Sequence, residues 1–192
     1  MTELEKKLLL TKDAYDCLME HFGYENPLLQ KPTIKQINYY FDSDDLSMNR
    51  QNITCRIRLK DGKYKGTLKQ HTTASDYSTE IEMEVHDGIH DNAFTDMGLK
   101  LQGKLITERC VIFQNAACKA VLDKNDYLGY TDYELELEYS PGHEKDARDF
   151  LQMTVDTLRR KCFLAYKHYA PSVPSKSTRF FGYLATKDQR EQ

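Results

Sequence analysis

Tryptophan is absent from this 192-residue chain, and glycine and proline are sparse at nine and five residues. That scarcity excludes collagenous and low-complexity architectures. The five cysteines (Cys17, Cys55, Cys110, Cys118, Cys162) are odd in number and contain no CxxC pair. They argue against a disulfide framework or a zinc ribbon and predict reduced, mostly buried thiols. Neither a Walker A loop nor a GxSxG elbow occurs, so the common phosphate-loop and serine-nucleophile routes are missing. The six histidines read as surface or loop residues rather than metal ligands. Asp42-Ser43-Asp44-Asp45 lacks the glycine and closing glutamate of a calcium loop. No apolar run approaches the ~20 residues of a membrane span. The first ten residues, MTELEKKLLL, have neither the basic start nor the small-residue cleavage site of a signal peptide. A cytoplasmic protein without a membrane partner is expected.

What is present suits one globular domain over residues 1–192, with 40% hydrophobic and 30% charged residues. The net charge of −3 implies no nucleic-acid surface. Thirteen tyrosines and eight phenylalanines supply the bulk of a strand-rich fold. Expected strands are Glu3–Leu10, Lys35–Asp42, a hairpin over Thr54–Gln70, Thr79–His86, Leu105–Gln114, Ala117–Asp123 and Thr131–Tyr139. Expected helices run over Lys12–Phe22 after a Thr11 cap, over Asn92–Met97, and over His143–Lys161. The Tyr166–Tyr183 tail contains Pro171 and Pro174 and then SKSTRFF, and its role is left open. No βαβ rhythm appears, so the class is α+β with an antiparallel, barrel-like sheet.

Charge is sorted by strand. Asp61-Gly62 is a two-residue hairpin turn, which sets Lys60 against Lys63, Arg58 against Lys65, Arg56 against Thr67 and Thr54 against Lys69. Alternation then puts Arg56, Arg58, Lys60, Lys63, Lys65 and Lys69 on one face, and Ile57, Leu59, Tyr64 and Leu68 on the other. Like charges directly opposite cost roughly 0.2–1 kcal/mol per pair. Glu80, Glu82 and Glu84 share a face of the next strand, and Glu134, Glu136 and Glu138 share one of the last. Lys60 and Lys63 at the turn, and Glu84 and Glu138 at strand ends, read as solvated.

Two architectures fit. The charges face water over an apolar core, the usual case, or the sheet closes around a charged lumen with helices covering its apolar exterior. The amphipathic helices favour the second. In a closed lumen, facing carboxylates need a cation, for which Mg²⁺ or Mn²⁺ is suited, and facing cations need a polyanion such as phosphate.

Glu3-Leu4-Glu5-Lys6-Lys7 matches an ExExK motif, Arg56-Ile57-Arg58 an RxR strand, and Glu134-Leu135-Glu136 an ExE strand. Lys65 and Lys69, Glu80-Ile81-Glu82, Arg109, Asp123 and a late basic position at Lys176 or Arg179 follow in the same order. Together these resemble the CYTH superfamily, the triphosphate tunnel metalloenzymes, in its bacterial Firmicutes form, from Glu3 to about Arg179. The resemblance implies an eight-stranded antiparallel closed barrel with helices packed outside. It implies Glu3, Glu5, Asp123, Glu134 and Glu136 as ligands of Mg²⁺ or Mn²⁺. Lys7, Arg56, Arg58, Lys65, Lys69, Arg109, Lys176 and Arg179 would hold phosphates, and Glu80, Glu82 and Asp123 would serve catalysis. Thr107 stands where some relatives carry a second basic residue. The implied activity is a metal-dependent triphosphatase acting on inorganic, thiamine or nucleoside triphosphate. A class IV-type adenylate cyclase and a non-catalytic polyphosphate- or nucleotide-binding module are the alternatives.

Overall fold

A computed structural model describes residues 4–25, 33–71, 78–161 and 173–188. Its strands are β1 (Leu4–Leu10), β2 (Ile34–Asp42), β3 (Ile53–Lys60), β4 (Lys63–His71), β5 (Ser78–Met83), β6 (Lys100–Gln114), β7 (Cys118–Tyr127) and β8 (Tyr130–Tyr139). Its helices are α1 (Lys12–Glu25), α2 (Ser47–Arg50), α3 (Asn92–Thr95), α4 (Glu144–Lys161) and α5 (Lys176–Asp188). The strands form one antiparallel sheet in the order β1-β8-β7-β6-β2-β3-β4-β5.

The β3–β4 register is the expected one, with Arg58 opposite Lys65, Arg56 opposite Thr67 and Thr54 opposite Lys69. Asp61 and Gly62 both have positive φ, 51° and 73°, as a type I′ turn requires. The expected boundaries shift elsewhere. Strand β5 ends at Met83 rather than His86, β6 begins five residues early at Lys100, and β7 continues to Tyr127.

Helices α1 and α4 cover the outer face of β1, β8, β7 and β6. Leu18, Ala147, Phe150, Leu151, Val155 and Leu158 meet Leu4, Leu8, Ile112, Leu122, Leu135 and Leu137 there. The Thr11 hydroxyl caps α1 by accepting from Ala14 N at 3.2 Å. Helix α4 carries Glu144 and Asp146 in its first turn and Arg159, Arg160 and Lys161 in its last, which complements the helix dipole. A second outer cluster joins Phe41, Cys55 and Ile57 of β2 and β3 to Phe94 and Leu99. The alternating charged faces therefore point to the concave side, the second of the two expected architectures.

The strands β1 and β5 at the two ends of the sheet both line one hollow, and among the described residues no ladder joins them. Strand β5 turns Glu80 and Glu82 to the cations of β3 and β4. Two expectations need correction. Not every helix packs outside. Helix α5 lies against the concave face, where Phe180 and Phe181 cluster with Tyr40, Leu105 and Tyr127. That end of the concave face is apolar, and an amphipathic helix fills it. Finally, Cys55, Cys110 and Cys118 are free thiols, but Cys17 is disulfide-bonded.

Candidate functional site

The hollow of the curled sheet is a cavity of about 490 Å³. Both sheet edges reach it, through Glu5 and Lys7 of β1 and Glu80 and Glu82 of β5. Arg56, Arg58, Lys65, Lys69, Thr107, Arg109 and Glu136 line its walls, and Lys176 and Ser177 of α5 lie at one end. Lys60 and Lys63, beyond it at the turn, are exposed.

One wall is basic. Arg58 Nε donates to Asn38 Oδ1 at 2.8 Å, and among the described residues no carboxylate pairs with its guanidinium. Burial, then the neighbouring Arg56 and Arg109, push Arg58 down to about 10. A guanidinium does not surrender its proton at neutral pH, so its charge carries an electrostatic cost here that an anion would relieve. Arg56 reaches Glu80 Oε1 only at 3.5 Å, and its Nε is buried without a hydrogen-bond partner among the described residues. Lys69 lies 3.9 Å from Glu80, and Lys65 pairs with Glu82 near the rim. Glu80 and Glu82 thus belong to the basic wall.

The opposite wall is acidic. Asp123 on β7 sits directly across from Glu134 on β8, and Glu136 follows two residues on, on the same face. All three are buried, and one oxygen from each lies within 4.8 Å of the others. Such hard oxygen donors suit Mg²⁺ or Mn²⁺ with water completing the shell. They already surround a cation: Lys176 Nζ lies 2.9 Å from Asp123 Oδ2 and 2.7 Å from Glu136 Oε1, and also bonds Glu134. The residues fit a divalent ion, which would share these oxygens with the lysine.

Further cations surround the cluster. Arg109 grips Asp123 bidentately at 2.8 and 2.7 Å and also bonds Glu136. Lys7 is 2.9 Å from Glu5 and 3.7 Å from Glu136. Burial alone would raise Glu136, but Lys176, Arg109 and Lys7 outweigh it and hold this carboxyl well below the usual range. Glu134 moves the other way, because burial and the like charge of Glu136 exceed the pull of Lys176 and Arg179. Burial likewise opposes the charge of Lys176, yet Glu134, Glu136 and Asp123 together raise it.

Of the expected metal ligands, the structure brings Asp123, Glu134 and Glu136 together. Glu5 stands at the edge beside Lys7, and Glu3 lies outside the described residues. Seven of the eight expected phosphate-holding residues line the cavity. Arg179 does not. Its Nε donates to Asp132 Oδ2 at 2.8 Å and its Nη2 to Glu134 Oε2 at 2.5 Å, behind the acidic wall. Asp132 is the residue the sequence reading missed, although it precedes Glu134 by two positions on the same face. It also accepts from Asn125 Nδ2 at 2.9 Å and Tyr127 OH at 2.7 Å. His86 and His90 stand four apart in sequence, but both are exposed.

Comparison with known proteins places this geometry. A family model described as the CYTH domain matches residues 1–169. A Bacillus subtilis protein named "Putative triphosphatase YjbK" is 30% identical over 156 residues, covering 74% of this chain and 80% of that protein. Among solved structures, one described as a putative adenylate cyclase from Bacillus halodurans superposes with a TM-score of 0.66 at 24% identity, covering 93% of this chain and 97% of its own. A Hippeastrum protein, HpAC1, described as a putative adenylyl cyclase with a dominant triphosphatase activity, gives 0.57 at 16% identity, covering 95% of each chain. At these identities the two structures show a shared fold.

Proposed function

The chain belongs to the CYTH domain family, and on that premise we propose that it is a metal-dependent triphosphatase. It would release orthophosphate from inorganic triphosphate or a related organic triphosphate held in the charged cavity. The observation that carries this reading is Arg58, a half-buried guanidinium with no carboxylate partner among the described residues, facing a cavity whose far wall is a three-carboxylate cluster.

Each group has a role that follows from its surroundings. Arg56 presents a buried Nε without a partner among the described residues, Arg58 presents a guanidinium without a carboxylate among them, and guanidinium forks match phosphate oxygens. Lys65 and Lys69 extend the anion track along β4 as point charges, while Lys7, Arg109 and Lys176 border it from the acidic side. Glu80 and Glu82 hold those lysines and Arg56 in place and accept hydrogen bonds from the attacking water. Asp123, Glu134 and Glu136, with Glu5 at the edge, would hold Mg²⁺ or Mn²⁺, which supplies charge neutralisation for the phosphate chain. The water oxygen bonds the terminal phosphorus as its proton passes to Glu80 or Glu82, the bridging P–O bond breaks with its electron pair kept by the bridging oxygen of the diphosphate, and orthophosphate and diphosphate leave. Arg109 and Arg179, locked on the carboxylates, keep the acids aimed as substrate enters.

A cyclase would need a base pocket. Among the described residues the cavity lining offers one aromatic ring, Tyr40, itself packed against Phe180 and Phe181. The test is product identification. Purified protein is incubated with Mg²⁺ or Mn²⁺ and triphosphate, thiamine triphosphate or ATP. Orthophosphate supports the proposal. Cyclic AMP with pyrophosphate supports the cyclase, and binding without turnover supports the non-catalytic module.

A further inference from the structure

Lys176 reaches the three carboxylates from a helix, where the other described cavity residues that touch them stand on strands. Where its ammonium sits depends on where α5 sits, and α5 is seated against the sheet at an unusual point. Gly103 on β6 has φ of +151°, a conformation that residues with side chains rarely adopt, beside a register shift between β2 and β6. A Cβ placed there would meet Phe180 Cζ at 2.9 Å and Cε2 at 3.4 Å. Phe180 cannot swing aside. It is fully buried, with Tyr40 at 4.9 Å and Phe181 at 5.2 Å between ring centroids. The close approach of backbone and ring is therefore possible only at glycine. Phe180 lies four residues after Lys176, one turn along the same helix.

We propose that Gly103 and Phe180 are positioning residues. Their close approach seats α5 so that Lys176 lies on Asp123, Glu134 and Glu136, where it competes with a divalent cation. Metal affinity is then set from outside the cavity, by a contact that touches neither metal nor substrate. This rests on the reading of the three carboxylates as metal ligands. Neither residue carries charge, so altering the seat changes the placement of Lys176 without changing the charge of the site.

The experiment is a Mn²⁺ titration of the substrate-free protein, followed by the electron paramagnetic resonance of the free ion. It compares the native chain with Gly103→Ala, Phe180→Leu, Lys176→Met and the Gly103→Ala/Lys176→Met double variant, after circular dichroism confirms folding. Removing the competing ammonium in Lys176→Met is expected to tighten Mn²⁺ binding by about tenfold or more. Gly103→Ala and Phe180→Leu are expected to tighten it about threefold, and the double variant to match Lys176→Met alone, since residues acting through one group are not additive. Native affinity in both seat variants beside a tighter Lys176→Met, or additive effects in the double variant, overturns the seat. An unchanged Lys176→Met overturns the competition. Absence of Mn²⁺ binding in every variant overturns the metal reading itself, a result distinct from the other two. If Gly103→Ala does not fold, Phe180→Leu decides.

Discussion

Lys176 Nζ and Asp123 Oδ2 lie 2.9 Å apart, a helix-borne ammonium on a fully buried strand carboxylate. Together with Glu134 and Glu136, the pair makes the acidic wall self-compensating in the absence of metal. Breaking a buried pair by removing one partner typically costs about 3–5 kcal/mol, because a charge is left uncompensated. Lys176→Met is expected to lower stability by that order in metal-free buffer, with millimolar Mg²⁺ or Mn²⁺ restoring most of it. Chemical denaturation with and without metal measures both.

Arg58 gives the opposite sign. Burial and the neighbouring Arg56 and Arg109 disfavour its charged form in the folded protein, and because a guanidinium keeps its proton the cost is present at every working pH. Replacing Arg58 together with its buried acceptor, in Arg58→Met/Asn38→Leu, is expected to stabilise the anion-free protein by about 1–3 kcal/mol. It should also erase the rise in melting temperature that the native chain shows on adding triphosphate. A loss of stability in anion-free buffer would contradict the assignment.

The acid limb belongs to Glu136. Its folded value is lowered, so its contribution is present above the ordinary carboxylate value of 4.5 and is lost as pH falls through the lower folded value. Stability is expected to fall steeply below about pH 4.5. Glu136→Gln should flatten that slope while starting from a lower stability at pH 7. Urea unfolding across this range checks it.

Helix α5 is capped by Ser175, whose Oγ accepts from Thr178 N at 3.1 Å. Ser175→Ala is expected to cost about 0.5–2 kcal/mol as a lost N-cap, and to loosen the first turn that carries Lys176 and Arg179. Hydrogen exchange localised to α5, with α4 unchanged, distinguishes this from general destabilisation.

The hairpin was readable to the residue because alternation and the Asp61-Gly62 turn fix register locally, and Arg56 and Arg58 on the cavity wall followed from it. Helix α5 was not readable. Pro174 before it and the polar run Ser175-Lys176-Ser177-Thr178 look like loop, and only the cap geometry shows that they open a helix. The pairing of charges was equally hidden. Sequence shows that Arg109, Lys176 and Arg179 are basic, but their grip on Asp123, Glu134, Glu136 and Asp132 is a contact between distant segments. Asp132 itself was within reach, since Asp132, Glu134, Glu136 and Glu138 alternate along a single strand face.

The central claim is that the two walls act together on a triphosphate. The most direct test is orthophosphate release from inorganic triphosphate in the presence of Mg²⁺ or Mn²⁺, by the native chain and by Glu5→Gln, Glu136→Gln and Arg58→Ala. The account predicts metal-dependent turnover that is nearly abolished in Glu136→Gln and strongly reduced in Glu5→Gln. In Arg58→Ala it predicts a raised KM with a smaller change in kcat. No release with either metal, or native kinetics in the two glutamate variants, would contradict it.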